Sequence, residues 1–318
     1  MKKMIVIVCS MILLLFIMST CIVNRRSARL LQNFNNTPVW ELAQAVNHQS
    51  VWKINFLCKK HPEWINYQEP IYGMTLLYWS VGANKYSSAE ALLKNGADPD
   101  VITSDSKNTA LLLACGYLWD DMCFTDTTKY IALLLKYGAN PNLGYGEVVL
   151  ESGLIPTSKK GSTPLMEVVV PGIIRNSSGV KKARVLVEYG ANINTKLKSG
   201  ETAASIALLQ ADYSLAYYLI VELHANITEV CYDSTQDDHF INPTGVVQQP
   251  VKLYPVQYLR NWDWVFPLHD KKYKMKQEII AEFTRQGIDY YATPIPQDTV
   301  DYIKKRFPKN WEEMLEKF

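Results

Sequence analysis

Along the chain, apolar residues arrive in short paired runs separated by polar turns, at the spacing of one buried helix face. Four runs close alike: Leu92-Leu93-Lys94-Asn95-Gly96-Ala97-Asp98-Pro99-Asp100, Leu134-Leu135-Lys136-Tyr137-Gly138-Ala139-Asn140-Pro141-Asn142, Leu186-Val187-Glu188-Tyr189-Gly190-Ala191-Asn192-Ile193-Asn194 and Ile220-Val221-Glu222-Leu223-His224-Ala225-Asn226-Ile227-Thr228. Each reads as the last turn of a helix, a left-handed C′ residue and a turn in which Asp or Asn bonds the nearby backbone. Upstream of each, a threonine opens another apolar run: Thr75-Leu76-Leu77-Tyr78-Trp79-Ser80, Thr109-Ala110-Leu111-Leu112-Leu113-Ala114, Thr163-Pro164-Leu165-Met166-Glu167-Val168 and Thr202-Ala203-Ala204-Ser205-Ile206-Ala207. Threonine is an N-cap residue, and Pro164 sits at N1, where a missing N–H costs nothing. The pattern predicts pairs of short helices.

In this order the segments resemble the ankyrin repeat, which opens T-P-L-H-x-A and closes L-L-x-x-G-A-D/N-x-N. Two weaker copies extend the resemblance. Thr37-Pro38-Val39-Trp40 with Phe56-Leu57-Cys58 looks like a first, capping copy, and Tyr254-Pro255-Val256-Gln257 with Glu278 to Asp289 looks like a last one. The resemblance implies an all-α, ankyrin-like solenoid of about five to six degenerate helix-turn-helix repeats over residues 37–290, with its strongest motifs at 73–228. Tyr78, Leu112, Met166 and Ser205 stand where the family keeps a histidine that ties neighbouring repeats. Apolar packing is therefore expected to do more of that work. His224 replaces the C′ glycine of the fourth copy, as a tolerated turn residue.

The spacing of C′ residues is uneven, at 42, 52 and 34 residues between Gly96, Gly138, Gly190 and His224. The excess falls in Gly116 to Thr127, Leu143 to Lys160 and Pro171 to Gly179, with Glu147-Val148-Val149-Leu150 a candidate strand. Beyond 290, the segments Asp298 to Arg306 and Trp311 to Phe318 read as two short helices of a C-terminal cap, 291–318. Asp298 is its expected N-cap, Pro308 its stop, and Trp311, Met314, Leu315 and Phe318 share one face.

The first residues change the picture. Lys2 and Lys3 precede an apolar run from Met4 to Val23, closed by Asn24, Arg25 and Arg26. Residues 1–23 read as an export signal, a lipoprotein signal with Cys21 as lipidation candidate, or a 20-residue signal anchor, followed by a short linker, 24–36. All three place the body outside the cytoplasm or at a membrane, in a periplasmic or extracytoplasmic setting. Without Lys2 and Lys3 the charges balance at 31 basic and 31 acidic side chains, which argues against a nucleic acid partner. In an oxidising compartment Cys115 and Cys123 are candidates for a disulfide; buried thiols are the competing reading for Cys58 and Cys115.

Little else suggests chemistry. The five histidines form no zinc-ligand spacing, and no nucleophile elbow or phosphate loop occurs. Asp238-His239 and His269-Asp270 are adjacent pairs, which seldom have proton-transfer geometry. No enzyme, cofactor, metal or small-molecule substrate is expected. The resemblance implies a protein partner, with Trp119, Asp120 and Asp121 in one insertion and Tyr145, Val148 and Leu150 in another as contact candidates; local packing is the competing role for Trp119. Together with the leader, it resembles the envelope-tethered ankyrin proteins of bacteria that neutralise secreted toxic effectors, phospholipases among them. An envelope scaffold or assembly factor with a resident partner is the alternative.

Overall fold

The structure, a computed structural model, describes residues 26–116, 119, 127–146, 160–169, 178–236 and 251–318. The apolar leader and the segment Glu147 to Leu150 lie outside the described residues. Contacts group the chain into two compact units, Met1–Lys160 and Gly161–Phe318. Helix dominates both.

In the first unit the helices pair as the periodicity predicts: α1 (Trp40–Asn47) with α2 (Val51–Lys60), α3 (Leu76–Gly82) with α4 (Tyr86–Lys94), and α5 (Ala110–Cys115) with α6 (Thr128–Lys136). The first helices form one row, α1 to α3 to α5, and the second helices another, α2 to α4 to α6. Every residue of α3 and of α5 is buried, so these helices read as continuous apolar runs. The outer helices bury one face only, such as Ala89, Leu92 and Leu93 of α4. Residues 26–34, expected within a linker, are instead folded: 26–31 are helical, Leu31 and Phe34 are buried, and Trp79 Nε1 donates to the Ser27 carbonyl at 3.1 Å.

The second unit repeats the two rows. Helices α7 (Pro164–Glu167), α9 (Ala203–Leu209) and α11 (Pro255–Leu259) form one; α8 (Ser178–Glu188), α10 (Tyr213–Tyr217) and α12 (Lys271–Arg285) form the other. Two strands that the sequence pattern does not predict, β1 (Tyr232–Asp233) and β2 (Lys252–Leu253), pair antiparallel, Tyr232 opposite Leu253. Two final helices, α13 (Gln297–Arg306) and α14 (Trp311–Lys317), close the chain. Ile303, Met314 and Phe318 pack there on Val265, flanked by Leu268, Trp311 and Leu315. Helix α13 begins at Gln297 with Pro296 as its N-cap, so Asp298 lies inside the first turn and accepts from Thr299 N–H at 2.8 Å rather than capping.

Helices this short depend on how their ends are satisfied. Thr75, Thr109 and Thr202 accept from the N–H groups of Tyr78, Leu112 and Ser205 at 3.1–3.2 Å, and Ser205 reciprocates to Thr202 N–H at 2.9 Å. Thr163 makes no such cap; the Met166 N–H it would serve bonds the Thr163 carbonyl at 2.9 Å instead. At the other ends Gly96, Gly138, Gly190 and Gly287 take φ of 92°, 93°, 89° and 85°. The next N–H, that of Ala97, Ala139, Ala191 or Ile288, reaches back to Leu92, Leu134, Leu186 or Phe283 at 2.9–3.1 Å. His224, at φ 53°, does the same one residue wider: a π-helical turn, Tyr218–Glu222, precedes it and Ala225 N–H bonds Leu219 O.

The work of the missing histidine falls to polar turns as well as to packing. Asn66 accepts from Asp98 N–H (2.9 Å) and Asp100 from Asn140 N–H (3.0 Å); in the second unit Asn194 accepts from Asn226 N–H (2.8 Å). The next link is made by α12: Gln286 donates to Ala225 O (3.0 Å) and accepts from Ile227 N–H (3.2 Å). Glu282 holds that corner, meeting Arg285 Nε at 2.7 Å, Gln286 at 2.8 Å and His224 at 3.3 Å; the Arg285 guanidinium first, then Gln286 and His224, hold its carboxyl down at about 2.

Two pH effects follow from charges in the second unit. Glu282 has a folded pKa below the unfolded value of about 4.3, so its contribution is present above that value and lost as pH falls through about 2. Glu282→Gln should lower stability at pH 7 by about 1–2 kcal/mol, because the exposed Arg285 is screened, and the variant and the natural chain should converge in acid-unfolding curves. Lys276 is the reverse case. It is buried with no hydrogen-bond partner, its Nζ 3.3 Å from the Phe318 ring centroid, and burial first, then nearby Arg260, lower its pKa well below the ordinary lysine value. Lys276→Met should raise the melting temperature at neutral pH, and the gain should vanish as pH rises from the depressed value to about 10.5.

Candidate partner-binding surface

Tyr78 occupies the motif position of the absent histidine, on the first turn of α3. It is buried, and burial pushes its hydroxyl pKa up, with Tyr145 and Asp105 close enough to raise it further. Trp119, from the first insertion, lies on the same helix. Its ring is tilted against Tyr78 at 5.6 Å between centroids, and its backbone N–H donates to Gly82 O at 3.0 Å. Gly82 makes the seat: a Cβ there would stand 2.5 Å from the indole. Trp119 is half-buried.

Tyr145 comes from the other insertion. It is half-buried beside Tyr78, and its neighbour Gly146 donates to Lys107 O at 3.2 Å, which ties that strand of chain to the turn at 103–108. Trp119 thus packs on Tyr78, and Tyr145, 26 positions further along the sequence, lies close enough to raise the Tyr78 hydroxyl pKa. Asp120, Asp121, Val148 and Leu150 lie outside the described residues.

Two further turns frame this surface, and sequence reasoning did not single them out. The buried Glu69 accepts from the N–H groups of Ile71, Tyr72 and Met74 at 2.9–3.0 Å and so shapes the turn before α3. Gln68 donates to Gly73 O (2.7 Å) and to Ile102 O (2.9 Å), and Ser104 N–H donates to Tyr72 O (2.9 Å), locking this turn to the next. The locked turns leave Ile71 58% and Ile102 40% exposed. Only the Pro70 and Gly73 punctuation signals a turn here; nothing local reveals that Glu69 gathers three backbone donors.

The reactive residue types are accounted for elsewhere. Cys58 and Cys231 are buried thiols whose pKa values burial pushes up to about 11 and about 12. Cys115 is the buried last residue of α5; Cys123 and Cys21 lie outside the described residues, as does His239. His269 is exposed, and Asp270 beside it caps α12 by accepting from Lys272 N–H at 2.8 Å. Among the described residues no group of His, Cys, Asp and Glu is placed to hold a metal ion, and no helix is long and apolar enough to cross a membrane.

The helix pair α3–α4 with its flanking turns is the part of the chain that a known family recognises: residues 72–104 match the family model described as Ankyrin repeat. The chain contains an ankyrin repeat. Ankyrin repeats are in general non-enzymatic modules that hold other proteins, and this one carries Tyr78, Gly82 and Ile102 of the surface described above. No curated protein matches the chain.

The seat of Trp119 on the ankyrin repeat is testable by a double-mutant cycle. Trp119→Ala and Gly82→Val should each destabilise the protein by about 1–3 kcal/mol in denaturant unfolding. The double variant should be no worse than the worse single one, since both lose one contact.

Proposed function

We propose that the protein is a membrane-tethered ankyrin scaffold whose six helix pairs are six degenerate repeats, and that it binds and neutralises a secreted toxic effector such as a phospholipase. The observation that carries the binding reading is the packing of Trp119 on Tyr78, with Tyr145 nearby and Ile71 and Ile102 exposed on the adjoining turns. Rigidly seated aromatic rings with apolar neighbours are the composition of interface anchors. The two insertions that deliver them depart from a fixed base, so their sequences can be matched to one partner without altering the helices beneath. The apolar segment Met4 to Val23 supports the tether: it would hold the binder where an exported effector first meets the membrane.

The test is capture of a purified secreted phospholipase by the full-length protein. Tyr145→Ala and Ile102→Asp should each weaken capture at least tenfold while leaving the melting temperature unchanged, and expression of the natural chain should protect a cell exposed to the effector. Capture of resident envelope proteins alone, with no protection, would overturn the immunity reading in favour of an envelope scaffold.

A further inference from the structure

Helix α2 has an inner face in the core and an outer face left exposed among the described residues. Ile54, Leu57 and Cys58 are buried, whereas Trp52 is 74% exposed, Phe56 51% and Val51 40%. The rings of Trp52 and Phe56, one helical turn apart, stack with centroids at 5.7 Å and planes 10° apart. Lys59 and Lys60 follow on the exposed side, and among the described residues neither makes an ion pair. The acids nearby are engaged: Glu41 with Lys53 at 2.9 Å and Glu63 with His61 at 3.1 Å.

We propose that this face of α2 docks on an anionic bilayer surface. Two stacked aromatic rings backed by an aliphatic side chain suit the boundary between headgroup and acyl chain, and unpaired lysines at the helix end suit lipid phosphates. A protein partner fits less well, because lysine is depleted where proteins bury aromatic anchors. The helix also belongs to the first pair of the chain. The apolar run Met4 to Val23 ends just before Arg26, where the described fold begins. A tether there turns weak surface contact into an intramolecular event at high effective concentration, so two stacked rings and two lysines suffice. This docking rests on the membrane-tether reading and adds to it an orientation for the first unit.

The test uses the full chain in vesicles of phosphatidylethanolamine and phosphatidylglycerol. Flotation reports the tether, and hydroxyl-radical footprinting by mass spectrometry reports the face. Trp52 and Phe56 should oxidise several-fold more slowly than the exposed references Trp262 and Tyr291, and Lys59→Glu with Lys60→Glu should restore their oxidation while the chain still floats. A floating chain whose Trp52 and Phe56 oxidise at the reference rate overturns the docking and leaves the tether standing. A chain that does not float overturns both. Protection that grows with protein concentration in the absence of vesicles assigns the face to a second copy and overturns the proposal.

Discussion

A six- or seven-residue helix has more orphaned backbone groups than bonded ones, and most first helices of the pairs here are that short or shorter. Helix α5 has six residues and α7 four. Their own hydrogen bonds cannot sustain them in water, so each stands only because its ends are closed and its sides buried. Threonine hydroxyls close the starts of α3, α5 and α9, and left-handed residues close the ends of the outer helices α4, α6, α8, α10 and α12. The same closing geometry makes the turns within pairs, where Gln49, Asn84 and Ala211 accept φ of 51–54° without being glycine. Their backbone strain is carried by two fully packed rows of helices on either side.

Most of that arrangement was legible. Closing glycines, opening threonines and apolar periodicity are local signals, each written within a window of about ten residues. What escaped was long-range or set by one competing bond. The links from Asn66 to Asp98 and from Asp100 to Asn140 join residues 32 and 40 positions apart, so no local pattern shows that the turn carboxylates and amides fasten one repeat to the next. The pairing of Tyr232–Asp233 with Lys252–Leu253 spans a polar stretch that breaks any hairpin signature. Residues 26–34 read as a linker because they fall between the apolar leader and the first motif copy at Thr37, yet Leu31 and Phe34 are buried and the Ser27 carbonyl meets the Trp79 indole.

The candidate surface was half legible. Aromatic residues inside insertions could be named from sequence, since turns of a repeat array have little reason to hold them except to pack or to bind. Their convergence could not, because it depends on Gly82 lacking a side chain at the one place where an indole needs room. Trp119 packs on Tyr78 and on Gly82 and is half-buried there.

That seat bears on how such a protein could diversify. A loop fixed to the body at its root has its closure entropy set by the short span beyond the pin, and that cost grows only slowly with added residues. The stretch from Trp119 to Thr127 can therefore change length or composition with little penalty to the helices it connects, as long as the indole keeps its glycine. The anchor point, the indole against its glycine, is then the part of this connection that must stay constant.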